Sequence, residues 1–290
     1  MTSLNPDEIR RYREEGWLVP QLRLSPTRLT ALRCALDELI ARNPGIRPEK
    51  LVSAHVVMPE GRPNAEGVHG HPAFLDLARD PAILDAVEAL IGPDILLWGC
   101  HVFTKPAGDG LETPWHQDGH YWPIRPLATC TVWVALEPST RQNGCLRVIP
   151  RSHRDRITHA HLNEDRDDLV LTQRMAPDTF DEATAVDIEL APGQMSLHDV
   201  FMIHGANVNR SPIRRTGVAL RYMPGTSVLE RNLDPTGSGT GIPVQWASRP
   251  LWLLRGQDRT GRNDLNVGHP EAAHFRAANL GAAHPRAAHR

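Results

Sequence analysis

The residues most able to do chemistry in this sequence are His116 and Asp118, in the run Thr113-Pro114-Trp115-His116-Gln117-Asp118. On a β-strand, residues i and i+2 project to the same side, so an imidazole and a carboxylate at this spacing can bind one ion. Two imidazoles and a carboxylate occupy one face of an octahedral Fe(II) and leave the other positions open for reactants. The third ligand must come from elsewhere in the chain. His204, at the end of the apolar run Phe201-Met202-Ile203-His204-Gly205, is placed to present an imidazole inward. Eleven residues on, Arg215 precedes a strand-like segment. A guanidinium at a strand edge can clamp a carboxylate through two parallel donors, which a lysine cannot match. A chain with 15 histidines contains about one His-x-Asp by composition alone, and a second is present at His153-Arg154-Asp155. That one lies in a charged, loop-like run whose arginines disfavour a bound cation. His116 instead leads into Gly119-His120-Tyr121-Trp122-Pro123, a stretch suited to a pocket wall.

Two kinds of element have to position these groups. Asn5-Pro6, Ser25-Pro26 and Asp80-Pro81 each read as an N-cap followed by a first-turn proline. The first opens a short helix ending near Gly16. The second opens the longest helix, with Leu29, Leu32, Leu36 and Leu39 at helical spacing. The third carries Ile83, Leu84, Val87 and Leu90 on one side and stops at Gly92-Pro93. From Asp94 the apolar segments shorten, predicting strands at 95–104, 129–136, 145–149, 186–190, 195–197 and 217–223, with a tight turn at Pro192-Gly193. Many short strands at such intervals imply a sandwich, barrel or jelly roll, and helices gathered ahead of them argue against a Rossmann fold. One domain is expected over residues 1–290: a helical part to about 93, a β core over about 94–225 and a C-terminal extension over about 226–290.

Taken together, the order His-x-Asp, a gap of 86 residues from Asp118 to His204, then Arg215, resembles the phytanoyl-CoA dioxygenase family of Fe(II)- and 2-oxoglutarate-dependent oxygenases. Thr131-Val132-Trp133, the run from Asn143 to Arg154, Leu190-Ala191-Pro192-Gly193, His204-Gly205 and the opening from Glu8 to Val19 carry the likeness further. The resemblance implies a mainly β (α+β) fold with flanking helices and a double-stranded β-helix core, a cupin-like jelly roll. It implies His116, Asp118 and His204 as iron ligands, Arg215 as the partner of the distal carboxylate of 2-oxoglutarate, and Thr131 and Trp133 as lining of the cosubstrate pocket. His153 and Arg154 are expected to be structural. Halogenating relatives replace the carboxylate ligand with a small residue, so Asp118 favours oxygen insertion.

The expected reaction is therefore hydroxylation of an unactivated C–H bond in a small-molecule metabolite (an amino acid, small acid or natural-product intermediate of secondary metabolism), consuming O2 and 2-oxoglutarate and releasing succinate and CO2. No side chain is needed as general base, and no CoA requirement is expected. Desaturation, epoxidation or cyclisation with the same cofactors is one alternative, and a non-catalytic jelly-roll protein that binds metal or a small acid is another. Trp98, His101, Lys105, His120, Tyr121 and Trp122, which flank the metal motif, are candidate substrate contacts suited to a small acid or amino acid, or to a polar, partly aromatic metabolite.

Composition narrows the partners. A formal charge of −2 gives no bulk electrostatic reason to bind nucleic acid or a membrane surface, and no apolar run approaches the ~20 residues of a membrane span. The four cysteines are widely spaced with no CxxC pair, and the first residues lack the basic and apolar regions of a signal peptide, so a reduced, cytoplasmic protein is expected. Toward the C-terminus, 232–241 is turn-rich, 244–254 carries apolar residues suited to capping the barrel, and His269, His274, His284 and His289 read as a surface helix or tail, not a second metal site.

Overall fold

The helices begin where local chemistry says they must. In the computed structural model, which describes residues 4–176, 178–233 and 244–269, the chain runs α1 (Pro6–Glu15), β1 (Trp17–Leu18), α2 (Pro26–Arg42), β2 (Leu51–Val52), α3 (Pro72–Ala78) and α4 (Pro81–Ile91). Each helix has proline in its first turn and a capping side chain before it: Asn5 in a capping box with Glu8, then Ser25, His71 and Asp80. The third of these was not expected from sequence. Its cap is an imidazole, with His71 Nδ1 accepting from Ala73 N at 3.2 Å, a role usually held by Ser, Thr, Asp or Asn. Gly16 ends α1 at φ 83°. His274, His284, His289 and most of 232–241 lie outside the described residues. His269 is tied down, with Nε2 2.7 Å from the Leu251 carbonyl and its ring 4.7 Å from that of Trp252.

The strands follow: β3 (Ile95–Lys105), β4 (Thr113–Gln117), β5 (Ile124–Arg125), β6 (Cys130–Ala135), β7 (Leu146–Val148), β8 (His161–Asn163), β9 (Gln173–Met175), β10 (Val186–Ile188), β11 (Met195–Asp199), β12 (Ile203–Ala206), β13 (Arg215–Pro224), β14 (Val228–Leu229) and β15 (Trp252–Arg255). Among the described residues, seven form a larger antiparallel sheet in the order β1-β11-β6-β13-β3-β15, with β2 also on β3. Four form a smaller sheet, β10-β7-β12-β4. The sheets face one another without closing, the jelly-roll arrangement. Part of the 244–254 segment is not a cap but an edge strand, β15, pairing Trp252 with Leu97. No helix among the described residues is long and apolar enough to cross a membrane.

Alternation along the strands sorts side chains between two interiors. Cys130, Val132 and Val134 of β6 and Val218, Leu220 and Tyr222 of β13 face the helices, where Leu32, Leu36, Leu39, Phe74, Leu77 and Val87 cover them. Leu36 and Leu39 are fully buried, and each contributes about 1.5–3 kcal/mol by leaving water. The opposite face of the same strands looks into the space between the sheets. On β3 the register slips at Trp98, since Arg221 pairs with Gly99 and Tyr222 with Leu97. This bulge changes the phase, so that Trp98 before it and His101, Phe103 and Lys105 after it all line the inter-sheet cavity.

Candidate metal centre

Strands β4 and β12 are antiparallel neighbours with His204 paired directly against His116, their rings 4.1 Å apart. Each imidazole is aimed by a hydrogen bond to the carbonyl two residues back in the chain. His116 Nδ1 donates to the Pro114 carbonyl at 2.8 Å and His204 Nδ1 to the Met202 carbonyl at 2.9 Å. A carbonyl only accepts, so both rings carry a proton on Nδ1, and in the neutral ring this leaves the Nε2 lone pair for a metal. Asp118 is not on the strand, contrary to the sequence expectation. The ladder ends where Gln117 meets Ile203, the first residue of β12, and the chain enters a short turn in which Gly119 N donates to the Val200 carbonyl at 3.1 Å. That turn brings Asp118 Oδ1 to 3.8 Å from His116 Nε2. One donor atom from each of His116, Asp118 and His204 lies within 4.8 Å of the other two, and all three residues are buried.

The electrostatics suit a cation. Burial pushes the Asp118 carboxyl up, but His116, His198, His204 and Arg221 around it outweigh that and hold it well below the usual carboxylate range. Burial, reinforced by His116, holds His204 well below the usual imidazole range. A carboxylate oxygen and imidazole nitrogens, donors of mixed hard and intermediate character, fit a divalent first-row ion.

His198 was missed by the sequence reading. It lies on β11 opposite Thr131, is buried with no hydrogen-bond partner among the described residues at either ring nitrogen, and has Nε2 3.7 Å from Asp118 Oδ2. Its signal was the alternation Met195-Ser196-Leu197-His198, which turns Ser196 and His198 away from the apolar face. The Thr131 hydroxyl reaches the same carboxylate oxygen at 3.5 Å.

Arg215, the first residue of β13, is buried. Its Nε and Nη2 donate to the Gly144 carbonyl at 3.0 and 2.6 Å, its guanidinium lies 5.3 Å from the Trp133 ring centre, and burial lowers its pKa to about 10, so it is cationic at neutral pH. Two glycines make this possible. Gly144 takes φ +77° with no room for a Cβ beside the Asn207 carbonyl, and a Cβ on Gly217 would sit 1.8 Å from Trp133 Cζ2. Among the described residues no carboxylate pairs with Arg215, and the rest of its fork is available to a ligand.

These groups border one cavity of about 480 Å³, which reaches from Arg215 past His116, Asp118 and His204 to Trp98, Tyr121 and Trp122. The other candidate contacts fare differently. His101 lines the cavity but stacks on Phe103 at 3.7 Å, with Nε2 3.1 Å from the Glu49 carbonyl. Lys105 also lines it, yet its ammonium is taken up by the carbonyls of Leu111, Ala206 at 3.3 Å and Asn207 at 2.7 Å. His120 is not among the lining residues. It stacks on His161 at 3.9 Å and lies 3.2 Å from Gln173 Oε1, because the turn after Asp118 carries it toward β9. The reading also passed over Arg221, Trp246 and Arg249, which line the cavity. His153 docks α1, its Nε2 3.1 Å from the Arg13 carbonyl.

Known proteins share this arrangement of elements. The chain is 31% identical over 159 residues to a probable phytanoyl-CoA dioxygenase of Caenorhabditis elegans, covering 52% of this chain and 51% of that one. It is 26% identical over 226 residues to the peroxisomal phytanoyl-CoA dioxygenase of Homo sapiens, covering 76% and 63%. The match thus spans about half to two thirds of these relatives' length. Among solved structures, the apo form of the non-heme monooxygenase ThoJ superposes with a TM-score of 0.68 at 24% identity, covering 95% of each chain. EvdO2 from Micromonospora carbonacea var. aurantiaca, complexed with 2-oxoglutarate, gives 0.60 at 22%, covering 77% of this chain and 91% of that one. At these identities the likeness is one of fold. The sequence model for the phytanoyl-CoA dioxygenase (PhyH) family matches residues 12–217, more than half of the chain, and the protein belongs to that family.

Proposed function

We propose that the protein is a non-haem Fe(II)- and 2-oxoglutarate-dependent dioxygenase that hydroxylates a C–H bond of a small-molecule metabolite. The observation that carries this reading is the convergence of His116, Asp118 and His204, with both Nδ1 atoms committed to carbonyls, in the same cavity as the buried guanidinium of Arg215. His116, Asp118 and His204 would hold the ion. When bound there, Fe(II) activates O2 and couples decarboxylation of 2-oxoglutarate, to succinate and CO2, to oxidation of the substrate.

The chain's share is orientation and exclusion of water. Arg215 fixes the distal carboxylate of the cosubstrate through a planar fork stiffened by Gly144 and Trp133. The Thr131 hydroxyl reaches Asp118 Oδ2 and His198 Nε2 stands 3.7 Å from the same oxygen, while Oδ1 faces His116. Trp98, Tyr121 and Trp122 wall the remaining space against solvent. The substrate is a free metabolite and not a CoA thioester. A strict thioester requirement would sink that part of the proposal.

Anaerobic titration of the Fe(II)-loaded protein with 2-oxoglutarate tests the reading. The expected result is a weak visible charge-transfer band that His116→Ala abolishes and Arg215→Ala shifts to higher cosubstrate concentration. A wild type that binds Fe(II) loosely and gives no band would leave only a jelly-roll binding protein.

A further inference from the structure

Arg221 borders this cavity without an ion pair or hydrogen bond among the described residues. Among the described residues no carboxylate and no hydrogen-bond acceptor reaches its guanidinium, and its Nε is buried with nothing to bond. The Asp118 carboxylate acts on it through space, with no hydrogen bond between them, and the other charges nearby are committed elsewhere. Arg249 is paired with Glu66 Oε1 at 3.1 Å and bonds Ser53 Oγ, Lys105 is held by three carbonyls, and Glu49 is taken by Arg47 at 3.1 Å and Leu111 N at 3.1 Å. Arg221 lies on β13 between β6 and β3, paired with Thr131 on one side and Gly99 on the other. It is partly exposed and borders the cavity. Three rings surround it, with the guanidinium carbon 5.2 Å from Trp122, 5.7 Å from Trp98 and 5.8 Å from Phe103.

Aromatic faces offset only part of what desolvating a cation costs. Ring faces accept no N–H···O hydrogen bond in the plane of the guanidinium, so the donors that meet a carboxylate in a bidentate pair are left unmatched. A single cation matches a monoanion, and the ring wall matches an apolar body attached to it. We infer that Arg221, boxed by Trp98, Trp122 and Phe103, binds the carboxylate of the substrate, so that the substrate is a small carboxylic acid with an apolar or aromatic body. The inference rests on the dioxygenase reading for the identity of the cavity as a substrate site. Arg221 then sets specificity at one end of β13 while Arg215, six residues earlier, serves the cosubstrate.

The test compares 3-phenylpropionate with its neutral isostere 3-phenylpropionamide, by calorimetry under anaerobic conditions on the Fe(II)- and 2-oxoglutarate-loaded protein in a chloride-free buffer. Wild type is expected to bind the acid about tenfold or more tightly than the amide, the scale of a charge-assisted hydrogen bond. In Arg221→Gln that ratio falls to about one, and in Arg221→Lys, which keeps the charge without the fork, it is intermediate. Should Arg221→Gln not fold, the lysine variant alone decides through the same ratio. No preference for the acid in wild type, no binding of the acid, or a ratio that survives Arg221→Gln overturns the inference. So does Arg221→Gln weakening 2-oxoglutarate as much as Arg215→Lys does while the acid-to-amide ratio stays, since the guanidinium then serves the cosubstrate. A wild type with no charge-transfer band but an acid preference that Arg221→Gln removes would sink the dioxygenase reading and leave this carboxylate site standing.

Discussion

Replacing Arg215 with lysine separates charge from shape at the proposed cosubstrate clamp. Arg215 is 3% exposed and spends Nε and one Nη2 donor on the Gly144 carbonyl. What remains is the part of the fork able to meet a carboxylate in its own plane. Lysine keeps a charge but supplies no second parallel donor, and it has no Trp133 face to lie on as a guanidinium does. A hydrogen bond to a charged group contributes about 1.5–3 kcal/mol, so losing one raises the dissociation constant of 2-oxoglutarate roughly 10- to 150-fold. The Gly144 carbonyl is also left with a poorer donor, at a cost of about 1–3 kcal/mol in stability. The two effects have different readouts: the concentration dependence of the charge-transfer band under anaerobic conditions, and the thermal midpoint of the metal-free protein. Band intensity at saturating cosubstrate is expected to match wild type, because the ligands near the metal are unchanged. A folded Arg215→Lys protein whose affinity for 2-oxoglutarate lies within about threefold of wild type would refute the clamp, whatever its midpoint.

Other consequences can be checked independently. Gly217→Ala puts a Cβ 1.8 Å from Trp133 Cζ2, so the indole must move. A stability loss of about 1–3 kcal/mol in urea unfolding is expected, together with weaker 2-oxoglutarate binding, and no change in either would show that the indole position is not tightly held. His198→Ala removes the ring 3.7 Å from Asp118 Oδ2 and is expected to weaken Fe(II) binding about 10- to 100-fold in competition with a chelator; unchanged affinity would exclude a supporting role. Of the cysteines only Cys34 is exposed, and burial pushes the Cys100, Cys130 and Cys145 thiols up to about 12. One fast-reacting thiol is expected in the native protein, abolished by Cys34→Ser. Burial holds His55 and His101 well below the usual imidazole range. Below pH 6.5 the unfolded chain therefore takes up protons that the native state does not, and stability falls as pH falls. From pH 6.5 to 5.5 each costs about 1 kcal/mol, and a flat urea midpoint over that interval would mean that these imidazoles titrate normally in the fold.

Much of the scaffold was written locally. A proline after a capping side chain starts a helix whatever surrounds it, which is why α1, α2 and α4 could be placed from Asn5, Ser25 and Asp80. The short apolar segments 129–136 and 217–223 likewise marked the strands that became β6 and β13. The spacing of His116, Asp118, His204 and Arg215 singled out four residues that the fold brings to one cavity. What the chain order could not contain is the state of each side chain once its neighbours arrive. Lys105 looked like a free cation until Leu111, Ala206 and Asn207 closed on it, and His120 sat beside the motif until the turn after Gln117 carried it to Gln173. His198 and Arg221 looked like ordinary strand residues. One faces Asp118 and the other stands among three rings, with no hydrogen bond among the described residues, because sheet register, and a single bulge at Trp98, put distant residues beside them. Pairing across strands depends on contacts far apart in the chain, so tertiary structure alone decides which buried charges are satisfied and which are left for a ligand.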